Sequence, residues 1–198
     1  LVPFGEYVPF GGFLSFIDKI VPIAGSFRRG EEAVIIPVKI GNSTYRIGAL
    51  VCYEDIFSRL SRENVKAGAD LIFVATNDAW YGEEGGAYQH AAHSVLRAVE
   101  TRRPFIRCGN SGWSGWIDEY GNVRKVLVVP EKGIYFRGSE LFELKRDAKW
   151  FRRESFYVMY GDWFISVCLG LSVWGYVCFR FVRDTRYRLG SSLRGKGD

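Results

Sequence analysis

Ile47-Gly48-Ala49-Leu50-Val51 is an apolar run that passes directly into Cys52-Tyr53-Glu54-Asp55. A strand that ends on a cysteine, with carboxylates a turn away, presents a thiol at the edge of a sheet. A free thiol has a pKa of roughly 8.5, so a nucleophilic role needs a nearby base or cation. Glu54 stands two residues on. A second candidate carboxylate, Glu6, lies in Leu1-Val2-Pro3-Phe4-Gly5-Glu6-Tyr7-Val8-Pro9. The plain alternative is a buried structural cysteine, with Glu54 and Asp55 capping the next helix.

Working outward, Val34 to Ile40 and Tyr45 to Val51 read as strands around the turn Gly41-Asn42-Ser43. Phe57 to Gly68 reads as a helix ended by its glycine, and Leu71 to Thr76 as a central buried strand. The loop Asn77-Asp78-Ala79-Trp80-Tyr81-Gly82 sits at that strand's carboxyl end. Tyr88 to Arg102 is a helix stopped by Pro104. Phe105 to Cys108 and Trp116 to Ile117 are short strands around Asn110-Ser111-Gly112, and Tyr120-Gly121-Asn122 turns into Val123 to Val129. Near the start, Phe10, Phe13, Leu14, Ile17, Ile20 and Val21 have helical spacing, for a core-facing helix or an amphipathic one in a lipid interface. Strands alternating with helices, then hairpins, predict an α/β sandwich with a mixed sheet.

The formal charge of +5 belongs mostly to one end. Arg180 to Asp198 carries six basic and two acidic residues, which leaves the rest nearly neutral and excludes a nucleic-acid-binding face. Before that tail, Trp163 to Phe179 is seventeen residues without a charge, the lower limit for a membrane-spanning helix. Arg180 can snorkel, and Trp163, Trp174 and Tyr176 are aromatics of the interfacial type. The Arg-rich flank places the tail on the cytoplasmic side and the body across the membrane. The expected division is therefore 1–160 body, 161–182 span and 183–198 basic tail.

Cys168 and Cys178 fall inside the span, and Cys52 and Cys108 are the only pair open to a disulfide. His90 and His93 share a helix face, but nothing nearby is spaced to supply a third metal ligand, so packing or a hydrogen bond is expected of them. The Asn42-Ser43-Thr44 sequon is short enough to arise by chance.

Taken together, Leu1 to Pro9, Val51 to Glu54 and Thr76 to Gly82 resemble the nitrilase (carbon-nitrogen hydrolase) superfamily, and within it the branch of apolipoprotein N-acyltransferases. Arg97-Ala98-Val99-Glu100, Arg102-Arg103-Pro104, Asn110-Ser111-Gly112 and the apolar stretch after Gly161-Asp162-Trp163 extend the likeness. The resemblance implies an α-β-β-α sandwich with a C-terminal membrane helix, and a Glu-Lys-Cys triad whose cysteine is Cys52. Glu6, Tyr53 and Glu54 are implied near it, with the lysine three positions before Leu1 and the glutamate further upstream. The chain is thus expected to be the C-terminal part of a longer protein.

The implied reaction is a two-step acyl transfer from a phospholipid, through a thioester on Cys52, to the amine of a diacylated apolipoprotein. No cofactor and no metal are implied. Glu6 and Glu54 would orient the lysine or the incoming ammonium, and Asn77, Trp80 and Tyr81, with Phe13, would meet the lipid substrates. The expected location is the bacterial inner membrane, with the catalytic face periplasmic. A small-amide hydrolase using the same cysteine, or a non-catalytic membrane-anchored fragment, are the alternatives.

Overall fold

The structure, a computed structural model, describes residues 30–194. Glu6, Phe13 and the helix expected around them lie outside the described residues. Two compact units are present, Leu1–Met159 and Tyr160–Asp198.

Among the described residues of the first unit, six strands form one sheet in the order β1 to β6. These are β1 (Ile35–Ile40), β2 (Ser43–Val51), β3 (Leu71–Asn77), β4 (Phe105–Asn110), β5 (Gly115–Ile117) and β6 (Val123–Val126). The β1/β2 pair is antiparallel, β2/β3/β4 are parallel, and β4/β5/β6 are antiparallel again. The parallel stretch arises because α1 (Ser58–Lys66) and α2 (Gly86–Thr101) are the crossovers, each returning the chain to the next strand. The two helices pack together over one face of the sheet.

Side-chain alternation divides the sheet. Gly48, Ile72 and Phe105 are cross-strand partners, as are Leu50, Val74 and Arg107, and both rows are buried. The alternate residues Ala49, Val51, Ala75 and Cys108 point the other way and are exposed. The described residues thus hold one sheet and one helical layer of the expected sandwich. The second face carries small and apolar side chains, as an inner face does.

The helical face explains the core. Ala87, His90, Ala91, Ser94, Arg97, Ala98 and Thr101 recur at three- and four-residue spacing and form the buried stripe of α2. Ala87, Ala91 and Ala98 are small enough to let the helix settle on Ile72, Val74 and Phe105. Phe105 is wholly buried, a contribution of about 1.5–3 kcal/mol. Beyond the sheet, Arg62 of α1 donates to the carbonyls of Val158 (2.7 Å) and Met159 (3.1 Å), tying down the short helix α3 (Phe156–Tyr160).

In the second unit, helix α4 spans Trp163–Arg194. Its segment Trp163–Arg183 is the one helix among the described residues long and apolar enough to cross a membrane, by length and composition.

Candidate active site

The three parallel strands end together, and their carboxyl ends collect the candidate residues. Such an edge is where α/β sheets place ligands. Val51 closes β2 and Cys52 follows with φ of 50°, the left-handed region that costs a non-glycine residue about 1 kcal/mol or more. That sharp reversal turns the chain from strand into a 3-10 turn, Cys52–Ile56, and leaves Cys52 half-buried at the sheet edge. The Glu54 carboxylate reaches back to accept from the Val51 N–H at 2.8 Å, so it braces the reversal around the thiol. Tyr53 is 40% exposed.

From β3 come Asn77 and a second 3-10 turn, Asp78–Tyr81. The Asn77 Oδ1 accepts from the Ala79 N–H (3.4 Å) and from Asn110 Nδ2 (3.0 Å), joining the ends of β3 and β4. Trp80 is 84% exposed. Tyr81 is half-buried, and burial, then the neighbouring Tyr53 and Cys52, push its phenol up to about 12, so it remains a neutral donor at physiological pH.

Cys52 and Cys108 are both free thiols. Val51, Ala75 and Cys108 are successive cross-strand partners, two strand spacings or about 10 Å, beyond what a disulfide bridges. The pairing open to them in sequence is therefore excluded by the parallel order. The two histidines also part company: His90 is buried and His93 is exposed.

Beneath the Cys52 turn lies a polar cluster that sequence patterning did not reveal. Asp55, His90, Asp78, Ser94 and Arg107 are all buried. The His90 ring sits between carboxylates, with Nε2 3.0 Å from Asp55 Oδ1 and Nδ1 2.8 Å from Asp78 Oδ1. Ser94 donates to Asp55 Oδ2 at 2.6 Å, Arg107 pairs with the same oxygen, and Thr76 donates to Asp78 at 2.9 Å. The Asp78 carboxylate packs on Gly112, where an added Cβ would lie 2.5 Å from Oδ2. The Tyr53 and Tyr81 rings flank His90 at 5.7 and 5.9 Å between centroids. Arg97 adds a further tie, donating to the Ile56 carbonyl at 2.8 Å. Helix α2 therefore grips the segment that carries Cys52 at two successive residues. A charged residue on the inward row of an apolar strand, Arg107, was the available signal.

Burial is the largest influence on Asp55 and pushes its pKa upward. Hydrogen bonds from His90 and Ser94 and the Arg107 charge outweigh it and hold the carboxyl below its ordinary range. Burial likewise pushes His90 down, but its bonds to Asp55 and Asp78 win and raise it to about 9. At neutral pH the imidazolium donates from both nitrogens, and two cations face two anions.

A pH dependence follows. The His90 contribution is complete below the ordinary value of 6.5 and is lost as pH rises through about 9. The Asp55 contribution is complete above 3.8 and is lost as pH falls through its lowered value. The free energy of unfolding should fall between pH 6.5 and 9, by at most about 3 kcal/mol, and His90→Gln should remove that alkaline slope. An unchanged slope in the variant would assign the alkaline loss to other groups.

A cysteine at a strand-ending reversal, on a sheet with this order, suits covalent catalysis through a thiol. The family model for carbon-nitrogen hydrolase matches residues 12–139, and the chain belongs to that family. Among its curated relatives it is similar to proteins named apolipoprotein N-acyltransferase. That of Geobacter metallireducens is 39% identical over 181 residues, covering 91% of this chain and 32% of the relative. That of Thermotoga maritima is 33% identical over 176 residues (87% and 32%), and that of Brucella melitensis 42% over 137 residues (68% and 25%). The chain thus spans a third or less of the length of these relatives. A crystal structure of an amidase from Nesterenkonia sp. aligns with a TM-score of 0.43 at 21% identity, covering 52% of this chain and 40% of that one.

Proposed function

We propose that this chain carries the nucleophile of an acyltransferase that acylates the N-terminal amine of lipoproteins. The observation that carries the reading is Cys52 at its left-handed strand-end turn, within a chain similar over 91% of its length to an apolipoprotein N-acyltransferase. The Cys52 thiolate attacks the carbonyl of a phospholipid acyl ester, forming the C–S bond. The C–O bond breaks and the lysophospholipid oxygen leaves with the proton that the implied triad glutamate took from the thiol. The α-amine of a diacylglyceryl-cysteine then attacks the thioester, its proton passes to the same glutamate, the C–S bond breaks, and the amide forms with return of the thiolate. The backbone N–H of Tyr53, in the first turn after the strand, meets the carbonyl oxygen in this reading as charge develops. The triad lysine and glutamate, and Glu6, belong to segments outside the described residues. Glu54 holds the turn through Val51 and directs its remaining oxygen toward a cation, the lysine or the incoming ammonium. Trp80 and Tyr81, with Asn77 fixing their loop, offer an aromatic surface to the acyl chains.

Helix α4 supports a membrane location. Ile165, Leu169, Val173, Trp174 and Val177, on several sides of the helix, are all exposed. A helix apolar all round is stable only in a core or in lipid. With an Arg-rich flank after it, the tail is cytoplasmic and the catalytic unit periplasmic, at the bacterial inner membrane. A reporter fused after Asp198 should read as cytoplasmic; a periplasmic signal would remove this topology.

The chemical test is covalent. Full-length protein given phospholipid and no acceptor should accumulate one acyl chain on Cys52, visible by intact mass and released by neutral hydroxylamine. Acylation at Cys108, or hydrolysis of small amides without acyl transfer, would overturn the assignment.

A further inference from the structure

At the opposite edge of the sheet, about 20 Å along β2 from Cys52, lies a cavity of about 400 Å³ lined by Arg46, Lys66, Gly68, Arg103, Arg152 and Glu154. Its walls are built, not incidental. Arg46 is held in a fork on Asp70, Nε to Oδ2 at 3.2 Å and Nη2 to Oδ1 at 3.3 Å. Its Nη1 lies over Gly68, where φ is +102° and an added Cβ would come within 2.7 Å of that nitrogen. Asp70 is shared with Arg146, whose Nη1 is 3.2 Å from Oδ1.

Arg103 is 3% exposed, and its hydrogen bonds go only to carbonyls: Ala69 (2.8 Å), Arg102 (3.0 Å), Trp150 (3.3 Å) and Arg153 (3.0 Å). Among the described residues no carboxylate is hydrogen-bonded to it. Burial, then the nearby Arg146, push its pKa down to about 10 against the opposing pull of Asp70 and Glu154. Arg152, exposed and with φ of 56°, also lines the cavity, its guanidinium 5.3 Å from the Phe151 ring centroid. Among the described residues, the cavity and the Asp70 pair behind it bring together Arg46, Lys66, Arg103, Arg146 and Arg152 with two carboxylates, Asp70 and Glu154.

Buried cations normally find anionic partners, since leaving one uncompensated is costly. Guanidinium forks match phosphate oxygens, and an excess of three positive charges suits a dianion better than a single carboxylate. The volume is of the size that holds a small ligand. We propose that this cavity binds a phosphate group, borne either by inorganic phosphate or by a lipid head group.

The test uses the full-length protein in a non-ionic detergent, titrated by calorimetry with inorganic phosphate and, separately, with a short-chain phosphatidylglycerol. Arg103→Gln probes the floor of the site but risks the fold. Lys66→Glu and Arg152→Glu, at exposed positions, keep the test independent of folding. Each charge reversal should weaken binding by roughly tenfold or more, while acylation of Cys52 proceeds unchanged. Equal binding of both probes identifies a free-anion site, and binding of the lipid alone identifies a head-group site. Binding of neither, affinity in both reversal variants within about twofold of the parent, or equal displacement by chloride at matched ionic strength would overturn the proposal.

Discussion

Cys52→Ser should lower acyl transfer by roughly a thousandfold or more while leaving the protein folded. The reason is the acidity of the group. A thiol at a pKa of roughly 8.5 yields thiolate at neutral pH with modest help, whereas an alkoxide is many orders harder to form. The substitution is nearly isosteric, and the left-handed backbone at Cys52 is held by neighbours that do not involve the side chain: Glu54 on the Val51 N–H, and α2 on Asp55 and Ile56. The expected readout is loss of the hydroxylamine-sensitive acyl adduct together with loss of turnover, at an unfolding midpoint close to that of the parent. Turnover that survives Cys52→Ala would remove the mechanism altogether.

Arg107→Met should be the most destabilising single change in the domain, by about 3–5 kcal/mol. The Arg107 side chain is fully buried, paired with Asp55, bonded to Ser94 Oγ at 2.8 Å, and 4.0 Å from Asp78. Methionine fills much of the volume, but it leaves Asp55 and Asp78 facing His90 alone, one buried negative charge in excess. Arg107→Lys should recover only part of the loss, because an ammonium cannot face Asp55 and Asp78 at once as the two arms of the guanidinium do. Thermal unfolding of the full-length protein followed by tryptophan fluorescence measures both. A loss under about 1 kcal/mol for the methionine variant would mean that the cluster is not the clamp described.

That cluster also sets the position of Cys52, the proposed nucleophile. Asp55 stands three residues after Cys52 and is the point where α2 holds the 3-10 turn through His90 and Ser94. Weakening it should therefore affect acylation as well as stability, and the alkaline loss expected for His90 should lower both together.

Much of the architecture was legible in the chain, because period-two and period-3.6 patterns are local. The strands around Gly41-Asn42-Ser43, the strand beginning at Leu71, the helix ended by Gly68 and the helix before Pro104 all occur within a few residues of where patterning puts them. The α2 helix begins at Gly86, two residues before Tyr88, and β6 stops at Val126, short of Val129. Both are end effects, where flanking contacts outweigh pattern. The prominence of Cys52 was legible for the same reason: an apolar run stops there and polar residues begin.

What the chain could not disclose is which charges meet. Asp55 and Arg107 are 52 positions apart, and Asp55 and His90 are 35 apart. They converge because the parallel register sets Leu50, Val74 and Arg107 in one row under α2. In sequence Asp55 reads as a helix cap and His90 as a partner of His93, since helical spacing alone does not show which face of α2 is buried. The unbalanced Arg103 is the same kind of fact. Its lack of a carboxylate partner depends on Asp70 being engaged by Arg46 and Arg146, 24 and 76 positions away from it. Local patterning places each element, but a buried charge takes its partners from strand order and register, and those exist only once the chain has folded.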